Sequence, residues 1–495
     1  MGSGYWRIAA TRPLAFGRDD RSGALGDGAG DRARGRAASR VARRMRADRE
    51  AGAPRTPGEP CGYSPAVVQT ESGRIVRSAA LAVGSFLALT VAQVLYQGGD
   101  PSYRTIWAED GRIHYQAVAS HGIGALAMPY NGYLELVSRL LVLPGTWFSL
   151  THLAVYLSVA GAATGALVAL AVYRLSAGLI DSTVLRVALA LAVALHPVLL
   201  QENLANITNI IWVLAFAVFF ALLHRPENKG DVALGAAVAF LGMASTILGL
   251  VFLPIAAYVA WTRRDGATRV VLGAYGLGVV LQLVAYVTES THGINTPGQG
   301  QLLNLYIARV LGITAVGDPG IAHLWNDGGK TLVYPFAFVV VATIAVLIAC
   351  NRGWTLGLGL VAVGYSIALF FGDLLVRGDA GLPLGSTWND NAARYNVLSV
   401  LFLLAAIAIM IPHARVGALP RTVMSWALLA QIVVVVVLGF HGENGRSKGP
   451  EWYPALVAQA KDCQTSPVRL RFVETTPGIP WGIFFTCNQL QGIGT

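Results

Sequence analysis

SAALAVGSFLALTVAQVLY, Ser78 to Tyr96, is the first long apolar run of the chain, and the polar stretch Trp107-Ala-Glu-Asp-Gly111 follows it closely. A charge-free run of this length matches the roughly 20 residues that a helix needs to cross a hydrocarbon core. Comparable runs recur at about 147–172, 182–200, 207–223, 231–247, 249–261, 267–288, 331–350, 353–372, 392–411 and 422–440. Gly249 and Pro254 interrupt the pair within 231–261, a break that neighbouring protein can cover. The chain is 54% hydrophobic and 13% charged, with a mean hydropathy of +0.53, which excludes an ordinary soluble domain. Barrel strands would show shorter, alternating segments. The expected fold is an all-α polytopic membrane protein of about eleven transmembrane helices.

Charge sets the expected orientation. Residues 1–78 carry 15 arginines against 8 acidic residues and so supply most of the net charge of +10. With its Gly, Ala, Arg and Pro bias, segment 1–77 reads as disordered. Arginine ahead of a first span holds that end in the cytoplasm, a simpler role for this charge than nucleic-acid binding, and no nucleic acid is expected as a partner. Met45 offers a second start, and no cleavable signal segment begins near Met1. Short connections then carry Arg174, Arg225, Lys229, Arg263, Arg264, Arg352, Arg415 and Arg421. The longer loops, 98–146, 289–330 and 373–391, and the segment 441–495 hold fewer cations per residue. The positive-inside pattern predicts a multi-pass protein of the inner or plasma membrane, with its N-terminus cytoplasmic and its C-terminus external. Cys463 and Cys487 fall in that external segment, where a disulfide can persist, while Cys61 and Cys350 fall inside. Two unpaired thiols are the alternative for the external pair. Pro467, Pro477 and Pro480 predict irregular structure or short strands there.

Candidate chemistry gathers on the external side. Glu109-Asp110 leads into His114, Tyr115 and His121, then Pro129-Tyr130-Asn131-Gly132-Tyr133, Glu135 and Arg139. Apolar residues around His114 and again at 134–141 predict two interfacial helices with a turn at Pro129 and Gly132. Helix-end amides favour the charged form of Asp110, while Glu109 and apolar surroundings oppose it. Such a carboxylate can take a proton from a hydroxyl or hold a divalent cation, Mg²⁺ or Mn²⁺, against a phosphate; Asp110 and Glu109 are the candidate metal ligands as well as the catalytic pair. A solvated or capping role is the plain alternative. Glu202 and Asn203, Asp373, Asn389 and Asp390, and Arg394 with Tyr395 return to the same side as candidate substrate contacts. Arg394 suits phosphate through its planar fork, unless it only snorkels or meets a lipid headgroup. His323-Leu-Trp325-Asn-Asp327 could line the opening. There is no zinc motif, phosphate-binding glycine loop, nucleophile elbow or dinucleotide fingerprint in a suitable context.

An acidic pair in the first external loop, two interfacial helices and a bundle of this size resemble the GT-C class of integral-membrane glycosyltransferases. The resemblance covers roughly residues 78–440, with Glu109-Asp110 and Pro129–Tyr133 as its local motif. It implies a sugar taken from a polyprenyl-phosphate donor at the external face and passed to an envelope glycan, lipid or protein hydroxyl. It also assigns the proton-accepting role first to Asp110 and second to Glu109, with Arg394 and Tyr395 at the donor phosphate. A single displacement would invert the sugar, and a retaining route needs a second placed carboxylate. The Arg, Gly and Ala bias fits a high-GC bacterial gene. The competing readings are a transporter or flippase of a lipid-linked glycan, with Asn206, Asn209 and Gln282 lining its path, and a polysaccharide polymerase or acyltransferase. A transporter more often has related halves, and no repeat relates 78–260 to 267–440.

Overall fold

The computed structural model describes residues 71–196, 198, 204–289, 302–377, 393–443, 445–465, 468–476 and 481–494. Residues 1–70, Cys61, Glu202, Asn203, Asn389 and Asp390 lie outside them. Residues 71–495 form one compact unit, a multi-pass helical membrane bundle.

The helices are α1 (Glu71–Leu95), α2 (Gln116–His121), α3 (Leu136–Val142), α4 (Leu153–Leu175), α5 (Thr183–Leu195) and α6 (Ile210–Leu223). They continue as α7 (Lys229–Met243), α8 (Leu253–Thr262), α9 (Gly266–Thr288), α10 (Leu302–Tyr306) and α11 (Ile313–Gly328). Then come α12 (Lys330–Cys350), α13 (Gly353–Arg377), α14 (Val397–Met410), α15 (Ala418–Gly439) and α16 (Trp452–Thr465). Among the described residues, eight helical segments are long and apolar enough to cross a membrane; α5, α6 and the Ile247–Thr262 segment are apolar but shorter.

Helices α6 and α14 are buried along their whole length, as all-round apolar sequence demands. Phe216, Phe219 and Phe402 meet edge to face between them, with ring centroids about 5.2 Å apart. The outer helices do the reverse: Val287, Phe338, Val346 and Leu438 project apolar side chains outward, which suits lipid. Side-chain caps start several helices: Ser182 accepts from the Leu185 amide, Asn228 from Asp231 and Asp265 from Thr268.

Ends of helices sort by charge. The C-terminal ends of α4, α6, α8 and α12 meet the start of α7, α9, α13 and α15 at a basic end, which carries Arg174, Arg225, Arg263 and Arg352. The acidic pair and the N-terminal ends of α4, α6 and α14 lie at the other, here called the acidic end.

One difference from the expected plan falls in 289–330. The segment expected to be an external loop holds α10, a π-helical turn (Ile307–Gly312) and α11, sharply broken where Gly317 takes φ 76°. Gly317 and Pro319 read as loop punctuation in sequence, but both halves find apolar partners: Gly312 packs on Ile321 and Val333, and Arg309 is fully buried. Asn304 accepts a 2.8 Å hydrogen bond from Tyr334, so the segment both begins and ends beside the start of α12. It folds back rather than passing to the basic end.

The C-terminal segment holds the short strands expected of it, and a helix precedes them. Helix α16 precedes an antiparallel hairpin, β1 (Leu470–Thr476) and β2 (Trp481–Thr486), in which Phe472 faces Phe484 and Val473 faces Ile483. A disulfide joins Cys463 on α16 to Cys487 after β2; Pro467, Pro477 and Pro480 lie outside the described residues. Removing it by Cys463→Ser is expected to destabilise this segment by about 3 kcal/mol. Thermal unfolding with and without reductant checks this: reductant should lower the midpoint of the parent chain and leave the variant unmoved.

Candidate functional site

Thr105 to Tyr115 forms the floor of the acidic end. The chain turns helical at Ala108 and passes through a π-helical turn, Asp110–Tyr115, before entering α2. Such turns carry one extra residue and re-aim side chains, which is why they recur at functional sites. Here the turn sends Glu109 and Asp110 to different partners.

Asp110 is fully buried. Its Oδ1 accepts from the Thr208 amide at 2.8 Å and the Thr208 hydroxyl at 2.6 Å, and its Oδ2 accepts from the Ile207 amide at 3.2 Å. The carboxylate thus grips the turn before α6 by two backbone donors. From its other side the same turn is held by Arg446, also buried, whose guanidinium donates to the carbonyl of Ala205 at 2.8 Å, to Ser102 and Thr105 carbonyls at 2.8 and 2.9 Å, and to the Thr105 hydroxyl at 3.0 Å. Burial pushes the Arg446 guanidinium down to about 10, opposed by the nearby Asp110 carboxylate, so it remains a cation at neutral pH. Between the two grips Ala205 sits at φ 49°, a strained conformation for a residue with a Cβ. Gly161 of α4 admits the turn closely, since a Cβ there would lie 2.8 Å from the Asn206 amide nitrogen.

Glu109 faces elsewhere. Its Oε1 lies 3.4 Å from an Arg394 guanidinium nitrogen, while its buried Oε2 has no hydrogen-bond partner among the described residues. Arg394 lies over the Tyr395 ring, 5.2 Å from its centroid, and Tyr395 meets Trp212 edge to face. The Tyr130 phenol, pushed up to about 12 by burial and then by the charges of Glu109 and Glu135, completes the group. These are four of the expected site residues brought together: Glu109, Tyr130, Arg394 and Tyr395.

Others have scaffold roles. His114 Nε2 and Glu135 Oε2 are 2.8 Å apart, both buried, in a close approach whose angles fall outside an aligned hydrogen bond. Arg139 donates to the Ala125 carbonyl at 2.8 Å and so ties α3 to the preceding loop. Asn131 and Gly132, with φ of 51° and 85°, form the two-residue turn joining the Tyr130 and Tyr133 backbones. Asp373 is buried near the C-terminal end of α13. His323 and Asp327 pair with each other at 3.3 Å on the exposed face of α11.

Of the groups expected to line a transport path, Gln282 and Asn209 bond locally, while Asn206 uses its oxygen locally and buries its Nδ2 without a partner among the described residues. Gln282 spans Leu134, accepting from its amide at 2.9 Å and donating to its carbonyl at 3.0 Å. Asn206 accepts from the Asn209 amide, and Asn209 accepts from the Trp212 indole. Ser245 likewise accepts from the Val137 amide, satisfying one of the orphan donors at the start of α3.

The C-terminal segment is part of this site, which sequence reasoning missed. Ile483 lies against Gly111, the Thr476 hydroxyl accepts from the Ala108 amide, and Gln116 accepts from the Phe484 amide. Arg446 carried no sequence signal, since Lys448, Lys461, Arg469 and Arg471 share its segment.

Both Asp110 oxygens already accept from amide or hydroxyl donors, and among the described residues no three His, Cys, Asp or Glu side chains are placed to hold an ion.

No protein-family model and no curated protein matches the chain. Among solved structures, the crystal structure of ArnT from Cupriavidus metallidurans in the apo state aligns over 80% of this chain and 81% of that one, at 14% identity and a TM-score of 0.34.

Proposed function

We propose that the protein transfers a sugar from a polyprenyl-phosphate donor to an envelope glycan, lipid or protein hydroxyl at the acidic end of the bundle, and that this end faces the cell exterior. The observation that carries the reading is the juxtaposition of Glu109, with one oxygen unpartnered, and the Arg394 guanidinium. A carboxylate without a full set of donors is a proton acceptor in waiting, and a guanidinium is a phosphate ligand. The charge asymmetry of the connections supports the orientation.

In this reading the roles of the acidic pair divide. Glu109 is the base, and Asp110 is a positioning residue that holds the 204–208 turn. The donor phosphate competes for Arg394 and draws it from Glu109. The acceptor hydroxyl gives its proton to Glu109 Oε2 as its oxygen bonds to the anomeric carbon. The bond from that carbon to the phosphate oxygen breaks, and its electron pair leaves with the polyprenyl phosphate, whose charge Arg394 offsets. One displacement inverts the anomeric centre. Catalysis here asks no step of a metal.

The test is release of polyprenyl phosphate by lipid-reconstituted protein supplied with a panel of polyprenyl-phosphate sugars and envelope acceptors. Donor movement between leaflets without release would overturn transfer in favour of a flippase. Within the same assay Arg394→Lys is expected to weaken donor binding about tenfold or more, because an ammonium cannot reproduce the guanidinium fork and forfeits a charge-assisted bond. Equal donor affinity in Arg394→Lys, Arg394→Ala and the parent chain would leave Arg394 a snorkelling or headgroup residue.

A further inference from the structure

A cavity of about 440 Å³ opens at the basic end, far from the acidic pair. Helix α4 runs from one to the other, and its 23 residues span about 34 Å, close to the thickness of a hydrocarbon core. The cavity therefore sits at the opposite membrane boundary, between the ends of α4, α6 and α8 and the start of α13.

Its lining is cationic and partly saturated. Arg174 is neutralised by Asp231, which it meets through two bonds of 2.9 and 2.8 Å. Arg263 uses two nitrogens to cap α6, donating to the Leu223 and His224 carbonyls at 2.8 Å, and retains its charge without an ion pair among the described residues. Arg225 is exposed, lines the cavity and has neither hydrogen bond nor ion pair there. The two guanidiniums repel: burial and then the Arg225 charge lower the Arg263 pKa, with Asp265 acting against them. Glu227, also in the lining, offsets part of this charge. Like charges held around a concave space are stabilised by an anion entering it.

The mouth is aromatic. Tyr258 and Trp354 stack with centroids 5.5 Å apart and planes 20° from parallel, both exposed, and Trp261 projects beside them on α8 with 77% of its surface free. Exposed Tyr and Trp at the ends of apolar helices mark the headgroup level of a bilayer. A free inorganic ion would need the cations alone, whereas an amphiphile also uses the aromatic mouth and the flanking apolar helices.

We propose that this cavity binds the phosphate headgroup of an anionic phospholipid, with Arg225 and Arg263 on the phosphate and the Tyr258–Trp354 pair against the glycerol and upper chains. The cavity volume suits a headgroup, being within the 300–1,000 Å³ of ordinary small-molecule sites. The site is independent of the sugar-transfer reading and stands or falls without it.

The experiment uses the full chain in phosphatidylcholine bilayers with and without phosphatidylglycerol. It reads the anionic lipid retained after detergent extraction, by native mass spectrometry, and the shift in thermal midpoint. Arg225→Glu, an exposed substitution with no folding contact to lose, is expected to cut retention roughly tenfold and abolish the shift. Arg352→Glu, at the same end but outside the cavity, should leave both unchanged, and Glu227→Gln should raise retention. Equal retention in the parent chain, Arg225→Glu and Arg352→Glu would overturn the proposal. So would an equal, Arg225-dependent shift with inorganic phosphate in phosphatidylcholine alone, which would assign the cavity to a soluble anion.

Discussion

Glu109→Gln is expected to lower turnover about 100-fold or more while leaving protein abundance and thermal midpoint close to those of the parent chain. General-base catalysis contributes about 10²–10⁴-fold, and an amide of equal volume cannot accept the acceptor's proton. The structural cost is small because Glu109 makes one long contact, 3.4 Å to Arg394, and leaves its other oxygen unpartnered. Turnover measured as polyprenyl phosphate released per minute, beside donor affinity, separates the step. Loss in kcat with donor affinity preserved is the signature of a group that acts in the transition state. Full turnover by Glu109→Gln would remove it from the chemistry.

Asp110→Asn and Arg446→Leu are expected to fail differently, by loss of folded protein. Asn can supply one carbonyl oxygen to Thr208, but its amide group would confront the Ile207 N–H donor to donor. Each buried group left without a partner costs about 1–3 kcal/mol, and the charge-assisted bonds are weakened besides. Arg446→Leu removes the guanidinium from three carbonyls and a hydroxyl in a buried place and leaves those of Ala205 and Thr105 without their donor, so its effect should be larger. Against a net stability on the order of 5–15 kcal/mol, either change should lower abundance and thermal midpoint together. Thermal unfolding of purified protein, normalised to abundance in the membrane, is the check. An Asp110→Asn chain of parental stability and abolished turnover would return the catalytic role to Asp110.

Much of the bundle was legible because spans obey simple rules. Runs such as 267–288 and 331–350 reappear as α9 and α12 nearly residue for residue, since length and apolarity alone mark them. The segment Leu302–Gly328 was not legible: its break at Gly317 has the same local spelling as a loop, and only packing on α12 distinguishes them. At the site, sequence pointed to Glu109-Asp110 and to Arg394-Tyr395, which do come together. It could not divide the acidic pair, because the partners of Asp110 come from a turn nearly a hundred residues away and from backbone amides that carry no sequence mark. Arg446 escaped for a related reason. Its role is defined by carbonyls, which every residue possesses.

The grip of Arg446 also has a consequence for biogenesis. The turn carrying Ala205 is threaded early in synthesis, but the guanidinium that holds it belongs to a segment that follows the last apolar helix. Until that segment emerges, the strained turn lacks one of its two clasps, and the Thr105 carbonyl lacks its donor. A nascent or truncated chain that stops before Arg446 would therefore carry α1 to α15 and still hold this turn from one side only. Until Arg446 docks, the turn is therefore held from the Asp110 side alone.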